Sequence, residues 1–123
     1  MKFTAHVVQP DSNPATVNVI FADPETNPDQ PAVLMFSRAT DIEDSAYYFE
    51  INDQSQGAYG GLELVKFSRT GIDVRLSSEL VEQVGDEDLR EVHADFEIDD
   101  DLYQITLEGL KTIFSGAEIF QAL

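Results

Sequence analysis

The chain of 123 residues contains no cysteine, which excludes a disulfide framework and any thiolate metal site. It also lacks the apolar run of roughly 18 residues that a membrane-spanning helix needs, and residues 1–6 do not read as a signal peptide. We therefore expect a soluble, cytoplasmic protein. A hydrophobic content of 42% is enough to build one compact core, so a single domain over residues 1–123 is predicted.

Positive charge is scarce, because 7 lysine and arginine residues stand against 24 aspartate and glutamate residues, and the formal net charge is −17. Nucleic acids and anionic lipid surfaces are bound through lysine and arginine, so neither a nucleic acid nor a membrane is an expected partner. A basic protein partner is favoured instead. Two other interpretations stay open, namely that the acidity only keeps the protein soluble or reflects a high-salt habitat.

The densest acidic region runs from Asp86 to Asp101 and holds nine carboxylates against one cation, Arg90. Neither of its two acidic triplets has the ligand spacing of a calcium-binding loop, so no metal and no cofactor is predicted. The region is interpreted as a solvated face or as a docking patch for a basic partner. Its candidate contact residues are Glu91, Asp95, Glu97, Asp99, Asp100 and Asp101.

Catalytic motifs are lacking as well. His6 and His93 lie on separate strand-like runs, and neither has a nucleophile motif near it. The glycine-rich stretch Gly57–Gly61 lacks the lysine and hydroxyl residue of a phosphate-binding loop and leads into a strand instead of a helix. No catalytic residue is predicted, and an enzyme is not expected. A small ligand-binding or hydrolytic site that forms only in three dimensions remains an alternative.

Alternation of apolar and polar residues predicts strands in the first half of the chain and no helix before residue 77. The predicted strands cover residues 3–8, 17–21, 32–36, 47–51, 63–67, 72–76 and 91–98. We interpret residues 47–67 as a hairpin whose connection, residues 53–61, is a long polar loop that contains three glycines.

Two helices are predicted in the second half. Ser77 or Ser78 can cap a short helix over residues 78–84 that ends at Gly85, and Asp99–Asp101 can cap a longer helix that ends near Gly116. Gly109 inside the second helix either allows close packing or weakens the prediction. The apolar residues in 117–123 suggest that the tail docks on the core or on another subunit.

These elements predict an α+β fold with a largely antiparallel sheet of six or seven strands, one short helix and a C-terminal helix packed on one face. The expected core consists of the inward-facing apolar positions. They are Phe3, Val7, Val17, Val19, Phe21, Leu34, Phe36, Phe49, Ile51, Val65, Phe67, Ile72, Val74, Leu76, Phe96, Ile98, Leu110 and Phe114.

Several segments also carry a resemblance to a known family. They are Tyr47-Tyr48-Phe49-Glu50, Asn52-Asp53-Gln54, Tyr59-Gly60-Gly61-Leu62-Glu63, the run from Val65 to Leu76, and the opening Met1-Lys2-Phe3-Thr4-Ala5. Over nearly its whole length the chain resembles the immunity protein 10 family of bacterial polymorphic toxin systems. The resemblance implies a small cytoplasmic antitoxin that binds and neutralises a cognate toxin domain, and it implies no catalytic residues.

A toxin that acts on nucleic acid has a basic active site, and an acidic protein is suited to inhibit such a toxin. A nuclease is therefore the leading expectation for the target, and occlusion is the expected mechanism. Within the segment 52–61 we expect Tyr59 to anchor the partner and Asp53 and Gln54 to make polar contacts. The alternative is that Tyr59 packs back on the sheet. A structural subunit of a homo-oligomer is the other function that stays open.

Overall fold

The computed structural model describes residues 1–26, 29, 31–43 and 45–123, with the side chains of residues 53–55 left out. These residues form ten strands and two α-helices. The strands are β1 Lys2–Thr4, β2 Val7–Ser12, β3 Thr16–Asp23, β4 Ala32–Ala39, β5 Tyr48–Ile51, β6 Asp53–Tyr59, β7 Leu62–Phe67, β8 Gly71–Leu76, β9 Glu91–Asp95 and β10 Phe120–Ala122. The helices are α1 Ser78–Val84 and α2 Asp100–Ile113, and a 3-10 turn spans Glu87–Leu89.

The strands are divided between two sheets of five. Sheet A has the order β1-β9-β8-β7-β10, and sheet B has the order β2-β3-β4-β5-β6. All pairs are antiparallel except β1 with β9 and β10 with β7. The predicted α+β class and the largely antiparallel pairing are confirmed. The predicted single sheet of six or seven strands is wrong, because strand alternation does not reveal which strands share a sheet.

The hairpin predicted over residues 47–67 is also wrong. Its first strand, β5, pairs with β6 in sheet B, whereas β7 belongs to sheet A. Asn52 makes the turn between β5 and β6 with a φ of 66°, and Gly60 and Gly61, at 73° and 88°, then carry the chain into the other sheet. Residues 53–59, predicted as a loop, are therefore an edge strand. The sequence does not reveal this strand, because an edge strand with a bulge and polar side chains lacks a regular apolar alternation.

The core lies between the sheets, where aromatic rings from both sides meet. Phe21 of sheet B lies 6.4 Å from Phe67 of sheet A and 5.6 Å from Phe96, measured between ring centroids. Most of the predicted core residues are buried, while Phe3, Val17 and Ile98 are only half-buried. Val7 does not face the core at all. The strand predicted over residues 3–8 breaks after Thr4, and β2 begins in the other sheet with Val8 turned inward instead.

Both helices are confirmed with their N-caps, but α2 ends at Ile113 with Phe114 as its C-cap, before the predicted end at Gly116. The Ser77 hydroxyl accepts a hydrogen bond from the Leu80 N–H at 3.1 Å, and Gly85 ends α1 with a φ of 75°. Helix α2 packs across β2, β3 and β4. Gly109 permits that packing, since a Cβ atom there would stand 3.0 Å from Val19 Cγ2. The tail docks on the core as β10, whose Phe120 ring stacks on Phe114.

Strand β9 ends at Asp95, three residues before the predicted end of that strand, and Phe96 continues into the core without regular structure. Among the described residues, no helix is both long and apolar enough to cross a membrane.

Candidate partner-binding surfaces

Tyr59, the expected anchor, is the last residue of β6, and β6 is an edge strand of sheet B. Its side chain is 75% exposed, and its ring rests against Tyr48 with the centroids 4.9 Å apart. The Tyr48 hydroxyl in turn donates a hydrogen bond to Glu50 Oε1 at 2.8 Å. Tyr48 is thus held by two contacts, whereas most of the Tyr59 ring faces solvent.

The face of sheet B that carries this tyrosine pair is turned away from the core, and we call it the sheet B outer face. Ala22 lies between Val7 and Val33 on neighbouring strands, and Ile20 lies opposite Met35. These five aliphatic side chains, which we call the aliphatic patch, are half-buried. Among the described side chains of β2–β6, only Asp11 and Glu50 bring negative charge to this face.

The aliphatic patch was missed from sequence. Residues 32–36 are an unbroken apolar run, which predicts a deeply buried strand. In the structure Leu34 and Phe36 are buried, but Val33 and Met35 point away from the core. One sequence signal could have revealed the patch: β3 and β4 carry apolar residues on both faces. An antiparallel sheet that is covered on one side needs apolar residues on that side only.

The turn between β5 and β6 adjoins the start of the acidic region. The side chains of Asp53 and Gln54 lie outside the described part of the structure, so only their place in the β6 backbone is known. Asn52 is fixed on the turn, because its side-chain oxygen accepts from the Val33 N–H at 3.2 Å. A groove of about 760 Å³ brings Asn52 and Gln56 together with other polar side chains. Its acidic members, Asp29, Asp86 and Asp88, outnumber its one basic side chain, Lys2, and we call this feature the acidic groove.

Glu91 and Asp95 lie on the outer face of sheet A, where they make ion pairs within the protein. Arg75 contacts Glu91 at 3.2 Å across the β8–β9 pair. Both ring nitrogens of His93 are bonded at 2.6 Å, Nδ1 to Asp73 and Nε2 to Asp95. Partial burial acts to lower the pKa of His93, but the hydrogen bonds and charges of the two carboxylates outweigh it and raise that pKa. The same contact with His93 lowers the pKa of Asp95.

The acidic residues around the start of α2 have different surroundings. Asp99 caps the helix by accepting a hydrogen bond from the Leu102 N–H at 2.8 Å. Asp100 pairs with Arg69 at 2.8 Å, while Asp101 and Glu97 are exposed to solvent. Asp99 is therefore used by the fold, and Glu97 and Asp101 are the freer members of this group.

The sequence-predicted contact residues do not form one patch. The two sheets face each other through the core, so the outer face of sheet A, with Glu91 and Asp95, and the sheet B outer face, with Tyr59, point in opposite directions. A single flat interface cannot cover both. The acidic groove brings described residues of the 52–61 segment, Asn52 and Gln56, together with part of the acidic region.

The other histidine is also bound to a carboxylate. His6 Nδ1 lies 2.9 Å from Oδ1 of Asp23, which is buried and accepts further hydrogen bonds from the backbone of Glu25 and Thr26. Hydrogen bonds from Thr26 and His6 hold the pKa of Asp23 well below its usual range. This contact ties the start of β2 to the end of β3. Within the described ranges, no group of three or more potential metal ligands is found.

Comparison with known proteins identifies a family for this chain. The family model described as immunity protein 10 matches residues 3–108, from β1 through most of α2. No curated protein and no solved structure gives a significant match. The matched segment covers most of the 123 residues and includes both sheets apart from β10. The chain therefore belongs to the immunity protein 10 family.

Proposed function

We propose that this protein is a cytoplasmic antitoxin that binds a cognate toxin domain and neutralises it by covering its active site. Membership of the immunity protein 10 family supports the immunity role. The proposal requires no catalytic group of the protein's own. The two histidines are each engaged with aspartate side chains, as expected for groups that stabilise the fold.

The observation that carries the proposal is the surplus of carboxylates. Arg69, Arg75, Arg90 and Lys111 are each within ion-pair distance of a carboxylate of the same chain. Arg38 donates to the carbonyl oxygens of Ile113 and Ser115 at the end of α2. Most of the few cations thus contact groups of the same chain, and the negative field of the remaining carboxylates extends into solvent.

A negative field of this kind attracts a basic partner and speeds its encounter. A toxin that acts on nucleic acid needs lysine and arginine in its active site to hold phosphates. An inhibitor that presents carboxylates competes with the nucleic-acid phosphates for those lysine and arginine side chains. We therefore propose a nuclease domain as the target.

The test pairs this protein with bacterial toxin domains, beginning with any that is encoded beside its gene. We expect that coexpression of the immunity protein restores growth of cells that produce the cognate toxin domain. In stopped-flow measurements the association rate constant should fall by at least about tenfold between 50 and 500 mM NaCl, because screening shortens the reach of the charges well below about 10 Å. A complex that fails to form at micromolar concentrations would refute the proposed function. An association rate that is independent of salt would refute the electrostatic part alone.

A further inference from the structure

We propose that the toxin domain docks on the sheet B outer face, with the aliphatic patch at the centre of the contact and Tyr59 at its edge. This inference rests on the proposed function and assigns it a surface. The carboxylates that attract the toxin then act from the border of this face, where the acidic groove lies at its Asn52 end. The partner's matching surface therefore has an apolar centre and a basic rim.

The composition of the face is the first argument. In a chain with 24 carboxylates, the described side chains of this five-stranded face include only Asp11 and Glu50 as acidic residues. Ile20 and Met35 lie near its middle, with Glu50 beside Met35, and Val7, Ala22 and Val33 form the apolar row at the end of the strands. Protein interfaces likewise exclude charge from their cores and place polar groups at the rim. An apolar patch that no element in the described part of the chain covers is a common mark of a binding site.

The tyrosine pair is the second argument. The Tyr48 ring is held against the sheet by its bond to Glu50, and it supports the 75% exposed ring of Tyr59. A tyrosine that is already oriented loses little rotamer freedom on binding, and tyrosines are enriched among the residues that dominate binding energy. Tyr59 therefore presents a large, oriented side chain at the free edge of the sheet.

The size of the face is sufficient for a specific complex. Strands β2, β3 and β4 are six to eight residues long. With about 4.8 Å between strands and about 3.4 Å per residue, five strands span roughly 24 by 20 Å. The two facing surfaces then bury roughly 1,000 Å², which is about the minimum for a specific protein interface.

Charge decides between the two partners that an apolar face can accept. The acidic groove lies at the Asn52 end of the face, and Asp11 and Glu50 lie on the face itself. In a dimer formed through this face, the carboxylates of the two copies would repel each other, and each copy carries a net charge of −17. A toxin surface with lysine and arginine around an apolar centre meets no such repulsion.

The test measures the affinity of the toxin domain identified above for Tyr59→Ala, Met35→Ala and the control Leu123→Ala. Leu123 is a fair control because it is apolar and 71% exposed but follows β10 at the edge of sheet A. We expect Tyr59→Ala to raise the Kd at least about 30-fold, as for the loss of an interface anchor, and Met35→Ala to raise it about tenfold. The control should stay within about twofold. Thermal melting must show that each variant is folded, and if Met35→Ala is destabilised, Tyr59→Ala decides alone.

Three outcomes overturn the inference, and they are distinguishable. If the wild type binds the toxin domain and both variants bind equally well, the docking surface is wrong but the proposed function stands. If the wild type does not bind, the proposed function fails, and the inference fails with it. If sedimentation shows that the protein alone forms a dimer that Met35→Ala dissociates, the face belongs to a second copy of this chain.

Discussion

The Tyr48 side chain lies over Gly57 so closely that a Cβ atom at Gly57 would stand 2.7 Å from the Tyr48 hydroxyl oxygen. Gly57 has no side chain of its own with which to stabilise the edge strand β6. A neighbouring aromatic ring that covers a glycine in a strand compensates for that loss. The tyrosine pair therefore depends on the absence of a side chain at this position.

We predict that Gly57→Ala destabilises the protein by about 1–3 kcal/mol, the usual cost of forcing an extra methyl group into a packed site. The new methyl group would meet the carbonyl oxygen of Phe49 at 2.7 Å, and a backbone atom cannot move aside as a side chain can. Urea unfolding measures the change. Ser37→Ala on the same face is the control and should stay within about 0.5 kcal/mol. Equal stabilities for the two variants would show that β6 moves freely away from β5.

We predict that His93 titrates above its ordinary pKa of 6.5 in the folded protein, since Asp73 and Asp95 both stabilise the imidazolium. A raised folded-state pKa means that the resulting stability is complete below the unfolded pKa and is lost as the pH rises through the folded one. Unfolding free energies should therefore decrease as the pH is raised above about 6.5.

The NMR chemical shift of the His93 ring, followed against pH, measures its pKa directly. Asp95→Asn is the matched variant, because it keeps the shape of the side chain and removes one of the two charges. It should lower the pKa of His93 towards the ordinary value. A His93 that titrates below 6.5 in the wild type would mean that partial burial outweighs the two carboxylates.

We predict that Asp99→Ala costs about 1 kcal/mol of stability, because Asp99 caps α2 through the Leu102 N–H. Asp99→Asn should cost much less, since an asparagine oxygen accepts the same hydrogen bond. Asp101→Ala, in the first turn of the same helix but not its cap, is the control and should cost less than half as much. Thermal melts of the three variants test the order. It also follows that a charge-removing change at Asp99 must be checked for stability before any loss of binding is assigned to docking.

We predict that Phe21→Ala costs about 3–5 kcal/mol and leaves a single unfolding transition. The Phe21 ring is fully buried and contacts rings from both sheets, so its loss weakens the two sheets together. Ile42→Ala, at a side chain that is 61% exposed, is the control and should change stability by less than about 0.5 kcal/mol. Two separate transitions, detected by circular dichroism and fluorescence at different denaturant concentrations, would contradict a shared core.

Local chemistry made the helices predictable. Ser77 and Gly85 bound α1, and Asp99 begins α2, because the groups that cap a helix are supplied by residues adjacent in sequence. Phe21, Phe67 and most other core positions were likewise visible, since alternation along a strand reports which side chains share a face. The family resemblance of the central segments was confirmed by the match over residues 3–108.

Pairing between distant strands was not predictable, because it depends on contacts that neighbouring residues do not encode. The alternation of apolar and polar residues along β5 is the same whether this strand pairs with β6 or with β7. In the structure Asn52 turns the chain back into β6 with a positive φ, but an asparagine can adopt that φ without joining two strands. The same holds for the candidate site. The composition alone determined that this is an acidic protein without cysteine chemistry. Only the tertiary structure decided that Tyr59 and Ile20 share one charge-poor face while Glu91 lies on the opposite one, because the division into two sheets sets which side chains meet.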